Sequence, residues 1–354
     1  MPMRTIATTR HGLATSMLAA TVLAAPPVAS ADPVAEFYKG KTVEIIVGSA
    51  VGGGFDAYAR FLSRHISRHI PGNPSAIVKN MPGAGGMIAG NYVFNQAPRD
   101  GTVITHLQNT LTLDQLAGLA NLKLDMRAFS WIGSMNVQST VCVLTPNAPF
   151  ASAKDFLTRE FVVGSSQRGT STSAVPEMLN ALVGTKFRVT LGYTGTNTIM
   201  LAMERNEVEG MCGWGWDSAQ VQALPAVEAG KIRVGLDIGN APHPDLKRRG
   251  VPFVMDMIAD GPDKQALQLL LGPQHYGRPF AGPPGMPPER LAAIRKAFVA
   301  TLADPEFLAE AQKARLEIRP ITHQQIETEV AAAFTAPEAV KAKAIAVMHL
   351  STKK

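Results

Sequence analysis

The chain has 354 residues, with 34 Lys and Arg against 28 Asp and Glu and a formal net charge of +6. Its 46% of hydrophobic residues exclude general disorder, and the length suits two lobes of ordinary size. Two cysteines exclude a disulfide-built scaffold or a cysteine metal cluster, and the scattered basic residues form no stripe or arm for nucleic acid.

The first 31 residues have the pattern of a secretory signal peptide. Arg4 and Arg10 provide a positive start, residues 13–25 are apolar or small, and Ala29-Ser30-Ala31 is a small-residue cleavage site. The apolar run is too short to span a bilayer, which disfavours a membrane anchor. We therefore expect cleavage after Ala31 and a periplasmic mature protein.

The mature chain begins with strands that alternate with helices. Apolar, β-branched runs predict strands at 42–48, 76–79 and 102–107. Apolar spacing and stop signals predict helices at 55–70 and 87–96. Loops rich in glycine follow the first two strands, at 49–54 and 80–86. This alternation predicts a doubly wound, mostly parallel sheet with the ligand site beyond the carboxyl ends of its strands.

The pattern then restarts, which predicts a second lobe of the same type. Further strands are predicted at 140–144, 161–164, 188–193, 208–212 and 232–236. Helices are predicted near Pro176 and at 199–205, and towards the end at 288–302, 305–316 and 324–348. The predicted division is 32–138 with 237–354 for the first lobe and 139–236 for the second. The last helices are allowed to cross both lobes, and the ligand cleft lies between the lobes.

The loop Gly52-Gly53-Gly54-Phe55-Asp56-Ala57 matches the glycine pattern of a dinucleotide site. However, the next strand ends in Val78-Lys79-Asn80 without the acid that would hold a ribose, so we expect no nucleotide cofactor. A glycine loop at a helix N-terminus still offers free N–H groups and a positive dipole to an anion. Asp56 is more typical of a helix cap, and Arg60 of a solvated helix face.

The sequence predicts neither catalytic residues nor a metal site. His65 and His69 are four residues apart on a predicted helix, but no glutamate follows His65, which favours a surface pair. No serine or cysteine has a credible base nearby in the sequence. Binding is therefore favoured over catalysis.

Two further features leave alternatives open. Trp214 and Trp216 alternate with glycines where a loop is predicted after a strand, a placement more typical of a cavity wall, with core packing as the alternative. Cys142 and Cys212 lie in predicted strands, where they are candidates for a disulfide or for two free buried thiols.

Several of these motifs together resemble one family. The stretch Asn80-x-Pro82-Gly83-Ala84-Gly85-Gly86 is the most specific, and the triple glycine with Asp56 supports it. With Pro98-x-Asp100-Gly101 and Ala303-Asp304-Pro305-Glu306, they resemble the exported receptors of tripartite tricarboxylate transporters, the Bug family.

The resemblance implies a two-lobed periplasmic binding protein of type II, without a cofactor, that clamps a small carboxylate between its lobes. It implies a soluble monomer that delivers the ligand to the membrane subunits of a tripartite transporter. Carried over by position, the ligand contacts would be Gly53, Gly54, Phe55, Ala84, Gly85, Ser165, Thr170, Ser171, Tyr193 and Thr196.

This chain departs from the family pattern at the expected site. Phe55 replaces a small hydroxyl residue, and Gly213 with the two tryptophans replaces a late acid. These changes favour a mono- or dicarboxylate with an aromatic or apolar body. Two alternative functions stay open: an exported enzyme that uses the same cleft, and a ligand sensor for a signalling partner.

Overall fold

A computed structural model describes residues 1–3, 7 and 32–350. The chain divides into two units, and the unit that begins at Pro33 contains both sheets and every helix of the described residues. The predicted signal peptide and its cleavage site lie outside the described residues, apart from residues 1–3 and 7. Within the described part of the chain, no helix is both long and apolar enough to cross a membrane.

Strands and helices alternate along most of this unit. The strands are β1 (Thr42–Val47), β2 (Ser75–Asn80), β3 (Val103–His106), β4 (Ser130–Ser134), β5 (Thr140–Leu144), β6 (Phe161–Gly164), β7 (Phe187–Thr190), β8 (Gly210–Gly215), β9 (Arg233–Ile238), β10 (Pro279–Gly282) and β11 (Ile321–Thr322). The helices are α1 (Pro33–Tyr38), α2 (Gly54–Ile66), α3 (Met87–Asn95), α4 (Leu111–Leu116), α5 (Asp155–Thr158), α6 (Ser171–Leu182), α7 (Thr196–Glu204), α8 (Trp216–Glu228), α9 (Pro244–Arg248), α10 (Pro262–Leu271), α11 (Pro288–Ala303), α12 (Pro305–Lys313), α13 (His323–Thr335) and α14 (Glu338–Leu350).

The first sheet has the strand order β11-β4-β10-β3-β1-β2. Strand β1 lies parallel to β2 and β3, so the loops that follow these strands leave the same edge of the sheet. Strand β10 is antiparallel to both β3 and β4, and it reaches the sheet from late in the chain. We call this sheet and the helices packed on it the first lobe.

The second sheet has the order β7-β6-β8-β5-β9 and takes all its strands from residues 140–238. Strand β6 is parallel to β7 and β8, whereas β5 is antiparallel to β8 and β9. We call this sheet and the helices packed on it the second lobe. Two α/β lobes confirm the predicted fold class, but both sheets are mixed where the sequence predicted mostly parallel ones.

The last helices of the chain serve both lobes. Helices α11 and α12 pack in the core of the first lobe, where Ile294, Phe298 and Phe307 are buried. Helix α14 packs instead on α6 and α10, with Val340 and Ala344 in the core of the second lobe.

The structure differs from the sequence predictions at several elements. No strand was predicted at β4, because its sequence SWIGS carries polar residues and a glycine. The loop predicted at Gly213–Trp216 is wrong, since β8 continues through Gly215 and α8 begins at Trp216. The single helix predicted at 324–348 is wrong as well, because Pro337 has no N–H to continue it and α13 ends before α14 begins.

Candidate ligand-binding site

The two glycine loops of the first lobe are joined by a network around Asp56. Its buried carboxylate accepts hydrogen bonds of 2.9 Å from the backbone N of Gly52, from Nε of Arg60 and from Nδ2 of Asn80. Nδ2 of Asn80 also donates to the carbonyl of Ser49, at 3.0 Å. The end of β2 is thereby tied to the loop that follows β1.

The network also sets the charge of Asp56. Burial alone would raise the pKa of this carboxyl, but the hydrogen bonds from Arg60, Gly52 and Asn80 together outweigh burial and lower it. The sequence pattern placed Arg60 on a solvated face and gave Asn80 no role. The four-residue spacing of Asp56 and Arg60 on one helix was the available signal.

Phe55 opens α2 against a buried histidine. Nδ1 of His106 lies 2.8 Å from the Phe55 carbonyl oxygen, and the two rings are 4.6 Å apart. His106 also stacks on Phe280, at 4.4 Å. Burial, with the nearby charge of Arg278, lowers the pKa of His106 well below its usual value. A neutral ring therefore donates from Nδ1 to the carbonyl and fixes the backbone of Phe55.

A buried ion pair joins the two lobes beside this loop. Nη2 of Arg278, just before β10, lies 2.5 Å from Oδ2 of Asp217 in the first turn of α8. Both side chains are at most 7% exposed. The guanidinium also covers the Phe55 ring, with its carbon 4.8 Å from the ring centre. A Cβ on Gly54 would lie 3.0 Å from Nη2, so this close approach favours glycine at position 54. The sequence gave no signal for this pair, which is 61 residues apart.

A cavity of about 480 Å³ lies between the lobes. The first lobe contributes Gly85 in the second glycine loop and residues of α4, and the second lobe contributes the start of α6 and the end of β8. Its lining residues are Gly85, Asn109, Thr110, Leu113, Asp114, Gln138, Thr140, Gly169, Ser171, Ala174, Val175, Met178, Gly213, Gly215, Leu270, Leu271, Pro273, Gln274, Val347 and Met348. A cavity of this size, apolar with a few polar groups, suits a small organic ligand.

The structure brings two of the predicted contact residues, Gly85 and Ser171, into the lining of this cavity. Ala84 directly precedes Gly85, whereas Gly53, Gly54 and Phe55 belong to the neighbouring loop at the start of α2. These last four residues lie outside the lining.

The predicted residues of the second lobe form a separate cluster. Oγ of Ser165 lies 3.5 Å from Oγ1 of Thr170, and the carbonyl of Ser165 accepts a bond from the backbone N of Tyr193. Thr196 is the first residue of α7. Apart from the adjacent Ser171, this cluster lies outside the lining of the cavity.

Trp214 and Trp216 pack in the core of the second lobe, where they are 4% and 1% exposed. Their neighbours there include Val141, Ile199 and Met211. This position favours the core alternative that the sequence left open, and neither residue lines the cavity.

Cys142 and Cys212 are joined as a disulfide across the neighbouring strands β5 and β8. Both are fully buried in the core of the second lobe. The bond links segments that are 70 residues apart in the sequence and holds the strand that leads into Gly213 and Gly215.

Two α/β lobes with a ligand-sized cavity between them define a solute-binding protein of the two-lobed type. The sequence profile described as "Tripartite tricarboxylate transporter family receptor" matches residues 59–346. The chain belongs to this family of receptors, which confirms the resemblance found in the sequence. Among curated protein sequences, none matches the chain.

Solved structures of low sequence identity share the fold. A TctC solute-binding protein from Polaromonas is 18% identical with a TM-score of 0.67, covering 88% of this chain and 99% of that one. Rpa4515 of R. palustris, solved with adipate, is 19% identical with a TM-score of 0.60, covering 86% and 97%. MatC of Rhodopseudomonas palustris, solved with malate, is 17% identical with a TM-score of 0.56, covering 88% and 99%.

Proposed function

We propose that this protein is a periplasmic receptor that binds a small organic carboxylate between its lobes and delivers it to the membrane subunits of a tripartite transporter. The observation that carries the proposal is the cavity of about 480 Å³, to which both lobes contribute. A ligand held by both lobes favours their joined arrangement, which a membrane partner can then recognise.

The carboxylate is held by backbone amides and hydroxyls. Among the described residues that line the cavity, none is Lys, Arg or His. The polar groups suited to an anion are the amides near Gly85, Gly213 and Gly215, and Ser171 at the start of α6. N–H groups at the first turn of a helix, together with the helix dipole, stabilise an anion without a charged side chain.

The remaining predicted contacts support the cavity from the neighbouring loops. We assign Gly53, Gly54, Phe55 and Ala84 to the loops that support the first-lobe wall, and Ser165, Thr170, Tyr193 and Thr196 to those that support the second-lobe wall. The network of Asp56, Arg60 and Asn80 holds the first wall in place. MatC and Rpa4515, solved with malate and adipate, give the class of ligand to screen first.

A panel of carboxylic acids, tested by thermal shift on the protein from Asp32 onward and then by calorimetry, examines the proposal. A ligand at a hundred times its Kd should raise the free energy of unfolding by about 2.7 kcal/mol. Matched neutral amides of the same acids serve as the control. The proposal would be contradicted if none of the acids in the panel raised the melting temperature. Size-exclusion chromatography tests whether the protein is a monomer. Mass spectrometry of the N-terminus of the exported protein tests cleavage after Ala31.

A further inference from the structure

The cavity has one ionisable side chain among its described lining residues, and that side chain is an acid. Asp114 lies in α4, and its carboxylate makes no hydrogen bond or ion pair within residues 32–350. Two side-chain amides of the lining donate to other groups. Nδ2 of Asn109 donates to the Pro273 carbonyl at 2.7 Å, and Nε2 of Gln274 donates to Oγ1 of Thr140 at 2.8 Å.

A half-buried carboxylate without a partner is unfavourable. Burial raises the pKa of Asp114 to about 6, and no neighbouring charge contributes to the shift. Around pH 7.5 the group is still largely ionised, so it stands in a poorly solvated place without a counter-charge. A buried charge of this kind is tolerated when a partner compensates it, and a cation on the ligand would do so.

The same carboxylate opposes a second negative charge on the ligand. A dicarboxylate in this cavity would bring an anion towards Asp114, with no Lys, Arg or His in the described lining to offset the repulsion. The cavity wall also has apolar members, among them Leu113, Met178, Leu270 and Val347. These side chains suit a hydrocarbon segment.

We infer that the receptor selects a carboxylate that also carries a cationic amine, joined to it by an apolar carbon chain, and that Asp114 binds the amine. Glycine-loop amides and Ser171 hold the carboxylate of the same ligand. The inference rests on the proposed function, because it concerns the same cavity and names the class of its ligand. Asp114 is thus a specificity-determining residue that no sequence motif identifies.

Three probes of six carbons each test the inference: 6-aminohexanoate, hexanoate and adipate. They share a carboxylate and four methylene groups, and they end in a protonated aminomethyl, a methyl or a carboxylate group. The shorter set of 4-aminobutanoate, butanoate and succinate covers the choice of chain length. Affinities are measured by calorimetry at pH 7.5 on the wild type, on Asp114→Asn and on Asp260→Asn. Asp260 is exposed and outside the cavity, which makes it the matched control.

In at least one set, the wild type should bind the amino acid more tightly than the methyl or dicarboxylate analogue. Asp114→Asn should weaken amino-acid binding by roughly tenfold or more, since the negative charge that attracts the ammonium is lost. The same variant should bind the dicarboxylate better than the wild type does, and Asp260→Asn should match the wild type. A single cooperative thermal transition without ligand would show that each variant folds.

Two failures are distinguishable. If some carboxylates bind but the amino compounds have no advantage in either set, or if Asp114→Asn keeps the wild-type preference, the inference is overturned and the proposed function stands. If neither these probes nor any acid of the wider panel binds, the proposed function fails and the inference with it.

Discussion

Nη2 of Arg278 lies 2.5 Å from Oδ2 of Asp217, and this ion pair joins the first lobe to the second. Arg278 also covers Phe55 and approaches Gly54, so one guanidinium contacts the first glycine loop and the start of α8. Both side chains are buried, so water cannot replace either partner of the ion pair. Separating them would therefore leave two poorly hydrated charges, which is unfavourable in free energy. The pair therefore fixes how the loop faces the second lobe.

Removing one partner of this pair should be strongly destabilising. Asp217→Asn leaves the Arg278 charge buried and uncompensated, and we expect the free energy of unfolding to fall by about 3–5 kcal/mol. Urea denaturation measures the change. The double variant Arg278→Met with Asp217→Leu should recover much of the loss, since no buried charge remains.

The matched control is the ion pair of Arg188 with Glu160, whose side chains are 57% and 59% exposed. Glu160→Gln should cost less than about 1 kcal/mol, because water solvates both groups. Similar losses for Asp217→Asn and Glu160→Gln would show that the buried pair does not hold the lobes as we argue.

The network around Asp56 should make stability depend on pH in a definite direction. The hydrogen bonds that outweigh burial lower the pKa of Asp56 in the folded protein. The stability from this carboxylate is therefore present above its unfolded pKa of about 3.9 and is lost as the pH falls through the lower folded value. We expect Asp56→Asn to be less stable than the wild type at pH 6, with the difference shrinking below about pH 4.

Asp114→Asn provides a control of opposite sign. Burial raises the pKa of Asp114 to about 6 in the folded protein, so its contribution is present below about pH 3.9 and is lost as the pH rises through 6. The free energy of unfolding of Asp114→Asn should therefore rise relative to that of the wild type between pH 4 and 7. Urea denaturation across that interval measures the difference. The same pH trend for both variants would contradict the assignments.

A side chain at position 85 should leave the protein folded but prevent ligand binding. Its φ is +64°, and a Cβ there would meet no atom within 4 Å. Gly85→Val should cost about 1–2 kcal/mol of backbone strain and abolish ligand binding, because the side chain enters the cavity lining. Calorimetry with the best ligand of the panel measures the effect.

Gly118 gives the comparison for this variant. It has φ of +69° and equally open surroundings, but it lies outside the cavity. Gly118→Val should show similar strain with unchanged affinity. If Gly85→Val and the wild type bound the ligand with equal affinity, Gly85 would not be part of the binding site.

The disulfide should account for a measurable part of the stability of the second lobe. It closes a segment of 70 residues, and replacing both cysteines with alanine should lower the free energy of unfolding by about 2–4 kcal/mol. Alkylation without reductant, followed by mass spectrometry, should label neither thiol in the wild type. Labelling of both would show that the cysteines are free in the isolated protein.

Periodicity predicted much of the fold because alternating strands and helices bury regular patterns. It failed at β8, where Gly213 and Gly215 around Trp214 suggested a loop. There the neighbouring strand β5 stabilises an extended segment whose own residues favour a turn. Strand partners far away in the sequence supply that stabilisation, so no local pattern reveals it.

The candidate site was predictable where motifs are local. The stretch that contains Ala84 and Gly85 was found from its sequence, and Gly85 lines the cavity. Asp114 follows no motif, and the pairing of Arg278 with Asp217 depends on how two distant segments meet. Such relationships arise from tertiary packing, which a single sequence does not encode in any short spacing.

Helix α14 contributes Val347 and Met348 to the cavity wall, close to the end of the described chain. A variant shortened after α13 would retain the residues of both sheets but lack these two wall residues. Loss of α14 would also uncover part of the second-lobe core, where Val340 and Ala344 are buried. One helix thus serves two purposes, because the same segment seals the interior of the second lobe and shapes the space in which a ligand would lie.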